Sequence, residues 1–199
     1  MTQQYERSAV RRQQIADAAL EVIAELGLRG FTTQAVAARV GITDGTIFRH
    51  FKDKQEIVLA AMDRLEDVMF SEPLPADSDP VVRLETFFRS RAALLGGMAP
   101  MGRLMFSEQL AHAAGGAGRE KLRNWRQRNL AFVGSCLTEL ADEGRLQPNM
   151  APRELTRVVQ GLLLTFSFER MLAETILPDL DKRIDQSWQT LRALLVDAQ

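Results

Sequence analysis

The sequence is poor in the residues that build disulfide-bonded folds, metal centres and most hydrolytic active sites. Its 199 residues include one cysteine, one tyrosine and two histidines. A single cysteine, Cys136, excludes an intramolecular disulfide and is typical of a reducing compartment. His50 and His112 lie far apart in the sequence, so we expect no metal site. The chain has no phosphate-loop pattern and no Ser/His/Asp or Cys/His set, so we expect neither an enzyme nor a bound cofactor.

Charge and hydropathy argue against two further classes. The net charge is −1, which is less positive than we expect for an architectural nucleic-acid protein. Eight basic residues against six acidic ones in residues 1–54 nevertheless make the N-terminal part mildly basic. The longest apolar stretch, around residues 158–168, is shorter than the ~20 residues that span a bilayer. Because the N-terminus also has no apolar signal core, we expect a soluble, cytoplasmic protein with no membrane partner.

Helical periodicity runs through the chain without strand-like alternation and predicts an all-α fold of about nine helices. The expected helices cover residues 8–26, 33–40, 44–51, 54–70, 80–95, 100–113, 119–143, 152–176 and 181–196, with a loop at 115–118. Three prolines in residues 71–80 predict a domain boundary. We therefore expect an N-terminal domain over residues 1–54, linked through the helix at 55–70 to a helical domain over residues 71–199.

Residues 31–54 predict two short helices joined by a tight turn. Apolar residues recur at helical spacing up to Val40, Gly41 interrupts them, and Ile47 and Phe51 then recur one turn apart. Between these inward positions lie side chains that packing does not need: Thr43, Asp44, Gly45, Thr46, Phe48, Arg49 and His50. A helix that keeps such a face free beside a packed partner suits a DNA major groove. The segment therefore predicts a helix-turn-helix that binds double-stranded DNA.

Each residue on this face has an expected role. Arg49 is expected to read a base, because a guanidinium bridges guanine O6 and N7; a phosphate contact is the alternative. Thr43 and Thr46 suit phosphates or thymine methyl groups. Gly45 lets the backbone approach DNA closely, although a glycine beside a turn is also simply tolerated. Asp44 suits a cytosine amino group, or it stabilises the helix N-terminus without touching DNA.

Phosphate contacts are expected around this face. Gln34, at the start of the second helix, and Lys54, in the first turn of the fourth, would hold the backbone on either side, and His50 would also face it. Asp53 and Glu56 form a capping-box pattern that predicts where the fourth helix begins. Three arginines of the first helix would either follow a phosphate backbone or be solvated: Arg7, Arg11 and Arg12.

These residues resemble the DNA-binding segment of the tetracycline-repressor (TetR) family of bacterial transcriptional regulators. The family pattern stands here as Thr32-Thr33, Ala37 to Gly41-Ile42, Gly45-Thr46-Ile47-Phe48, Arg49, His50-Phe51 and Lys54. Family members often have a tyrosine at the position of Phe48, and its hydroxyl usually meets a phosphate. Because Phe48 lacks that donor, we expect its ring to contact a thymine methyl group instead.

The resemblance implies a homodimer and a palindromic operator. The last two helices of the family pair with those of a second subunit as a four-helix bundle. The eighth helix here is apolar on more than one face, which requires a second covering surface. The residues expected at the dimer interface are Leu155, Val159, Leu162, Phe166, Trp188, Leu191 and Leu195. Two reading helices related by a two-fold axis require a roughly palindromic site.

The resemblance also implies a cavity for a small, largely apolar effector within helices five to seven. The expected wall residues are Phe87, Met101, Met105, Phe106, Trp125, Phe132 and Phe166, although apolar side chains at helical spacing are also typical of a plain core. The expected function is therefore a repressor that its effector releases from DNA. A transcriptional activator and a ligand-independent architectural protein are the alternatives.

Overall fold

The computed structural model describes residues 2–172 and 179–196, and the all-α prediction is confirmed for this part of the chain, which forms ten helices. They are α1 (Thr2–Gly30), α2 (Thr33–Val40), α3 (Asp44–Ile47), α4 (Lys54–Met69), α5 (Pro80–Gly97), α6 (Ala99–Leu104), α7 (Glu108–Ala113), α8 (Gly115–Asp142), α9 (Pro152–Leu172) and α10 (Leu180–Leu195). The helices group into two compact units. One unit is Met1–Glu72 with Leu104–Asn124, and the other is Pro73–Arg103 with Trp125–Gln199.

The first helix is longer than its capping signal predicts. It begins at Thr2 rather than near Ser8, because no proline or glycine precedes Ser8 and glutamine, glutamate and arginine favour helix. Its helical spacing predicts one apolar stripe of Ile15, Ala19, Val22 and Leu26, and the first three of these residues are buried. The prediction fails at Leu26, which is 57% exposed. Gly27 follows it with φ +69° and kinks α1 before its end at Gly30.

The third helix is shorter than predicted. It covers Asp44–Ile47 and not residues 44–51. The N–H groups of Arg49 and His50 bond three residues back, to the carbonyls of Thr46 and Ile47, so the backbone tightens from an α-helix into turns. The Phe51 N–H still reaches the Ile47 carbonyl at 3.0 Å. Ile47 and Phe51 are consequently both buried, as their spacing predicts.

Two predictions for the middle of the chain are wrong. The expected helix over 100–113 is divided into α6 and α7, and the Ser107 hydroxyl accepts from Leu110 N–H to begin the second piece. Residues 115–118 are not a loop but the first turn of α8. Gly115, with φ +76°, makes the sharp connection from α7 that lets α8 begin there. Residues 173–176 of the eighth predicted helix lie outside the described residues.

The first unit packs α1 against α2 and α4, and α4 against α7. Gly118 shows how closely the start of α8 also approaches α4. A Cβ at Gly118 would lie 3.2 Å from Met62 Sδ and 2.7 Å from the Ala111 carbonyl oxygen. Further along α8, the Lys121 ammonium pairs with Glu66 and, at 2.9 Å, with Asp63. The beginning of α8 is therefore held along α4 by both packing and charge.

The second unit has an aromatic core between α5, α9 and α10. Phe88 is fully buried, with its ring centroid 6.2 Å from Phe166 and 5.8 Å from Trp188. Phe87, on the same helix, packs against Phe132 of α8 at 4.8 Å between centroids. One helix of this unit therefore supplies neighbouring phenylalanines to two separate contacts. The division of the chain into a DNA-binding and a ligand-binding domain stays a prediction.

Candidate nucleic-acid interface

The turn between α2 and α3 is set by local signals that the sequence already carries. Either Thr32 or Thr33 is expected to cap α2, and the structure uses Thr32, whose side chain accepts from Ala35 N–H at 3.0 Å. Gly41 ends α2 in the left-handed conformation, with φ +75° and ψ +36°. Its N–H and that of Ile42 both reach the Ala37 carbonyl. This is a glycine C-cap, and it directs the chain from α2 into α3 over three residues.

Residues 43–50, which we call the reading segment, present a mostly exposed surface. Thr43, Gly45, Phe48 and Arg49 are exposed, and Phe48 keeps 47% of its surface open to solvent. Ile47, by contrast, is fully buried and fixes the segment to the core. The structure therefore brings most of the residues predicted for DNA contact onto one short segment.

The polar residues at the start of the reading segment differ in whether their side chains make hydrogen bonds within the protein. The Thr43 and Thr46 hydroxyls lie 2.8 Å apart and bond each other. Thr43 is the N-cap of α3 by position, but its side chain makes no cap hydrogen bond. Asp44 Oδ1 is buried and has no hydrogen-bond partner among the described residues. The two threonine hydroxyls are thus held by each other before any DNA is present, whereas Asp44 Oδ1 has no such partner among the described residues.

The start of α4 lies next to the end of the reading segment and is strongly capped. Asp53 accepts from Glu56 N–H at 2.8 Å, as the capping-box pattern predicts. The Glu56 carboxylate accepts from Lys52 N–H at 2.7 Å, one residue before the N-cap. That N–H and the Arg12 guanidinium hold the pKa of Glu56 below its ordinary value. Lys54 is exposed beside this turn, and Gln34 is exposed at the start of α2.

Arg12 is the residue of this region whose role the sequence did not reveal. Its guanidinium lies 4.2 Å from the centroid of the Phe51 ring and donates to Glu56 Oε1 at 2.8 Å. It also donates to the carbonyl oxygen of His50. The sequence gives no local signal of these contacts, because the partners lie 38 to 44 positions away from Arg12. Arg12 is therefore held by protein groups rather than free along a phosphate backbone.

His50 is also turned partly toward the protein. Its ring Nδ1 lies 3.4 Å from the Ser8 hydroxyl of α1, and its carbonyl is taken by Arg12. The residue is half-buried. Arg39 of α2 is likewise engaged, because it pairs with Glu25 at 2.7 Å and Glu21 at 3.3 Å. From the reading segment to the first turn of α4, the exposed cations are consequently Arg49, Lys52 and Lys54.

The residues predicted to line an effector cavity are divided between the two units. Met105 and Phe106 belong to the first unit and the other five to the second. Phe87, Trp125 and Phe166 are buried, and Phe132 is half-buried against Phe87. Asn129, one turn after Trp125 on α8, has a buried Oδ1 without a partner among the described residues. The ligand role of these residues stays a prediction.

Six of the seven residues predicted for the dimer interface have their side chains inside the second unit. They are Leu155, Val159, Phe166, Trp188, Leu191 and Leu195, and Leu162 is half-buried. In this conformation they form the core of one chain. α9 has apolar residues on more than one face, so that it contributes to this core and still leaves Val158 and Leu164 exposed, at 45% and 37%.

Among the described helices, none is both long enough and apolar enough to cross a membrane.

The part of the chain that contains the reading segment matches a known protein family. The model for "Bacterial regulatory proteins, tetR family" matches residues 15–61, which run from α1 into α4. The HTH-type transcriptional regulator SrpR of Pseudomonas putida is 26% identical over 162 residues, covering 79% of this chain and 74% of SrpR. The match to the family model therefore includes the whole of the reading segment.

Solved structures share the fold over nearly the whole chain. The ketosteroid transcriptional regulator KstR2 of Mycobacterium tuberculosis superposes with a TM-score of 0.76 at 18% identity, over 94% of this chain and 96% of that one. AibR, in complex with isovaleryl coenzyme A and operator DNA, gives a TM-score of 0.71 at 19% identity, over 92% and 97%. The match to the family model thus identifies residues 15–61 as a segment of the tetR family of bacterial regulatory proteins, and the chain as a whole shares the fold of these solved structures.

Proposed function

We propose that this protein is a ligand-responsive transcriptional regulator that binds a palindromic operator as a homodimer. The observation that carries the proposal is the exposed reading segment, whose ends are fixed by Gly41 on one side and by the Asp53 cap on the other. A short segment that is rigid at both ends and open on one face presents its side chains to DNA without a large ordering cost. The match of the tetR family model to residues 15–61 supports the same function.

Within this function, some residues are proposed to contact bases and others to contact phosphates. Arg49 is exposed, and its guanidinium suits a guanine edge. The open ring of Phe48 suits a thymine methyl group, since it offers no donor to a phosphate. Lys54 and Gln34, which flank the segment, suit the phosphates on either side. Arg49 and Phe48 are therefore the proposed sources of sequence preference, and the flanking residues are proposed to set the register.

The proposed dimer uses the outer face of α9 rather than the residues first predicted from the apolar pattern. Val158, Gly161, Leu164 and Thr165 recur at helical spacing and are all exposed. A Cβ placed on Gly161 would have no described atom within 4 Å, so a second helix has room for close approach there. Val158→Asp should weaken self-association, measured by sedimentation velocity. The matched control is Val82→Asp, because Val82 is a valine of similar exposure on α5, at 42% against 45% for Val158.

The proposed regulatory route runs through α8 and α4. α8 is one continuous helix whose first ten residues belong to the first unit, where Lys121 pairs with Asp63 and Glu66 of α4. A ligand that repacks the later part of α8 would move these turns and displace α4. Because α4 begins next to the reading segment, operator affinity would fall. We propose further that the effector is a small, largely apolar molecule and that the protein acts as a repressor.

The proposal is tested by selecting duplexes from a random pool at physiological salt with the wild-type protein. Enrichment of one palindromic site supports a dimeric, sequence-specific regulator. A pool that binds without any preferred sequence would favour the architectural alternative.

Acyl-coenzyme A thioesters and free carboxylic acids are then the first effectors to add to the bound duplex, since AibR of the same fold is seen with isovaleryl coenzyme A and operator DNA. Release of the duplex identifies an effector.

A further inference from the structure

We propose that Arg12 is a positioning residue for DNA recognition, which fixes the end of the reading segment to the first turn of α4. The inference rests on the proposed function, because it concerns how the same segment is presented to DNA. It assigns to Arg12 a role that acts through protein contacts and not through a phosphate.

The geometry gives Arg12 three partners from two elements. Its guanidinium stacks over the Phe51 ring at 4.2 Å and donates to the His50 carbonyl, and these are the next two residues after Arg49. It donates at the same time to Glu56 of α4 at 2.8 Å. A guanidinium is planar and carries several donors in a fixed fork, so its three contacts constrain one another. A rotation of the reading segment relative to α4 would therefore break at least one of them.

Glu56 is itself immobilised, which makes it a suitable anchor. One carboxylate oxygen accepts from Lys52 N–H at 2.7 Å, and its own N–H is held by Asp53 at 2.8 Å. The oxygen that remains is the one that Arg12 contacts. The Arg12–Glu56 pair thus joins the first turn of α4 to the residues that end the reading segment. Any displacement of α4 is transmitted to Arg49 over a short path of hydrogen bonds.

The alternative is that Arg12 contacts a DNA phosphate, and the two roles predict opposite effects at Glu56. Near a phosphate backbone, removing the negative charge of Glu56 would strengthen binding, and removing Arg12 would lower the salt dependence by about 0.9 in log–log slope. If Arg12 positions the segment, removing either partner weakens binding. The salt dependence then stays the same, because no phosphate contact is lost.

The experiment compares Arg12→Met, Glu56→Gln and the double variant on the duplex that the wild type selects most strongly. Arg12→Met retains an apolar stem over Phe51 but loses the donors, and Glu56→Gln is isosteric and partly exposed, so both should fold. Arg11→Met is the matched control from the same helix. Dissociation constants are measured over a range of sodium chloride concentrations, below the melting temperature of every variant.

We expect about three- to tenfold weaker binding for each single variant, no further loss in the double variant, and an unchanged salt slope. Tighter binding by Glu56→Gln, or additive losses with a reduced slope for Arg12→Met, would overturn the positioning role while leaving the proposed function intact. A lower melting temperature with unchanged affinity would mean a purely structural role. If the wild type selects no duplex, the proposed function itself fails, and this inference fails with it.

Discussion

Two glycines of the helix-turn-helix offer a sharp test, because the same substitution should act on them in opposite directions. A Cβ at either Gly41 or Gly45 would meet no described atom within 4 Å. Steric crowding inside the protein is therefore equal for Gly41→Ala and Gly45→Ala. The difference lies in the backbone, since Gly41 has φ +75° and Gly45 is the second residue of α3.

The magnitudes follow from these conformations. Alanine in the left-handed region costs about 1–2 kcal/mol, so Gly41→Ala should lower the free energy of unfolding by that amount. Alanine in a helix is more stable than glycine by roughly 0.5–1 kcal/mol, so Gly45→Ala should raise it, toward the lower value because α3 is short. Thermal denaturation followed by circular dichroism should show melting temperatures shifted in opposite directions from the wild type.

For affinity to DNA the order of the two variants should be reversed, with Gly45→Ala more impaired than Gly41→Ala. The new methyl group of Gly45→Ala stands on the exposed face of the reading segment and should weaken binding to the selected duplex by about tenfold or more. Gly41→Ala, once folded, should bind within about twofold of the wild type. A more stable Gly45→Ala that binds DNA as the wild type does would refute the close backbone approach. A less stable Gly45→Ala would refute the helical assignment at that position.

Three further results are expected. Phe88→Ala removes the ring between Phe166 and Trp188 and should cost about 3–5 kcal/mol in urea denaturation; a loss below about 1 kcal/mol would contradict the aromatic core. Asp53→Ala removes the α4 cap and should cost about 1 kcal/mol, whereas Asp53→Ser, which keeps an acceptor, should retain most of the stability. Because the folded-state pKa of Glu56 is lowered, its contribution is complete above its unfolded-state value and is lost as pH falls through the folded-state value. Wild-type stability in acid titrations should therefore fall more steeply than that of Glu56→Gln, and equal slopes would contradict the ion pair.

The parts of the fold that the sequence predicts correctly are those with local signals. Thr32, Gly41 and Asp53 each act on backbone groups within five residues, and the structure has all three in their expected places. The spacing of Ile47 and Phe51 is likewise a property of one short segment. Such signals need no knowledge of the rest of the chain, which explains why the helix-turn-helix can be located from sequence alone.

The parts that the sequence does not predict depend on distant partners. Glycines at 115–118 indicate a loop by composition, yet they begin α8, because Gly118 allows the close approach to Met62 of α4. The contacts of Arg12 join residues about 40 positions apart. The apolar pattern of α9 shows that it is covered on more than one side. It cannot show that Leu155, Val159 and Phe166 face their own chain.

The central claim is that residues 43–50 read DNA sequence, and Arg49 tests it most directly. The measurement is the affinity of wild type and Arg49→Ala for the selected duplex and for a set in which each base pair is replaced in turn. The account predicts that Arg49→Ala loses discrimination at one G·C pair in each half-site, by about 1–3 kcal/mol, while the other positions keep theirs. A uniform loss at all positions with a reduced salt dependence would place Arg49 on a phosphate and contradict base reading by this residue.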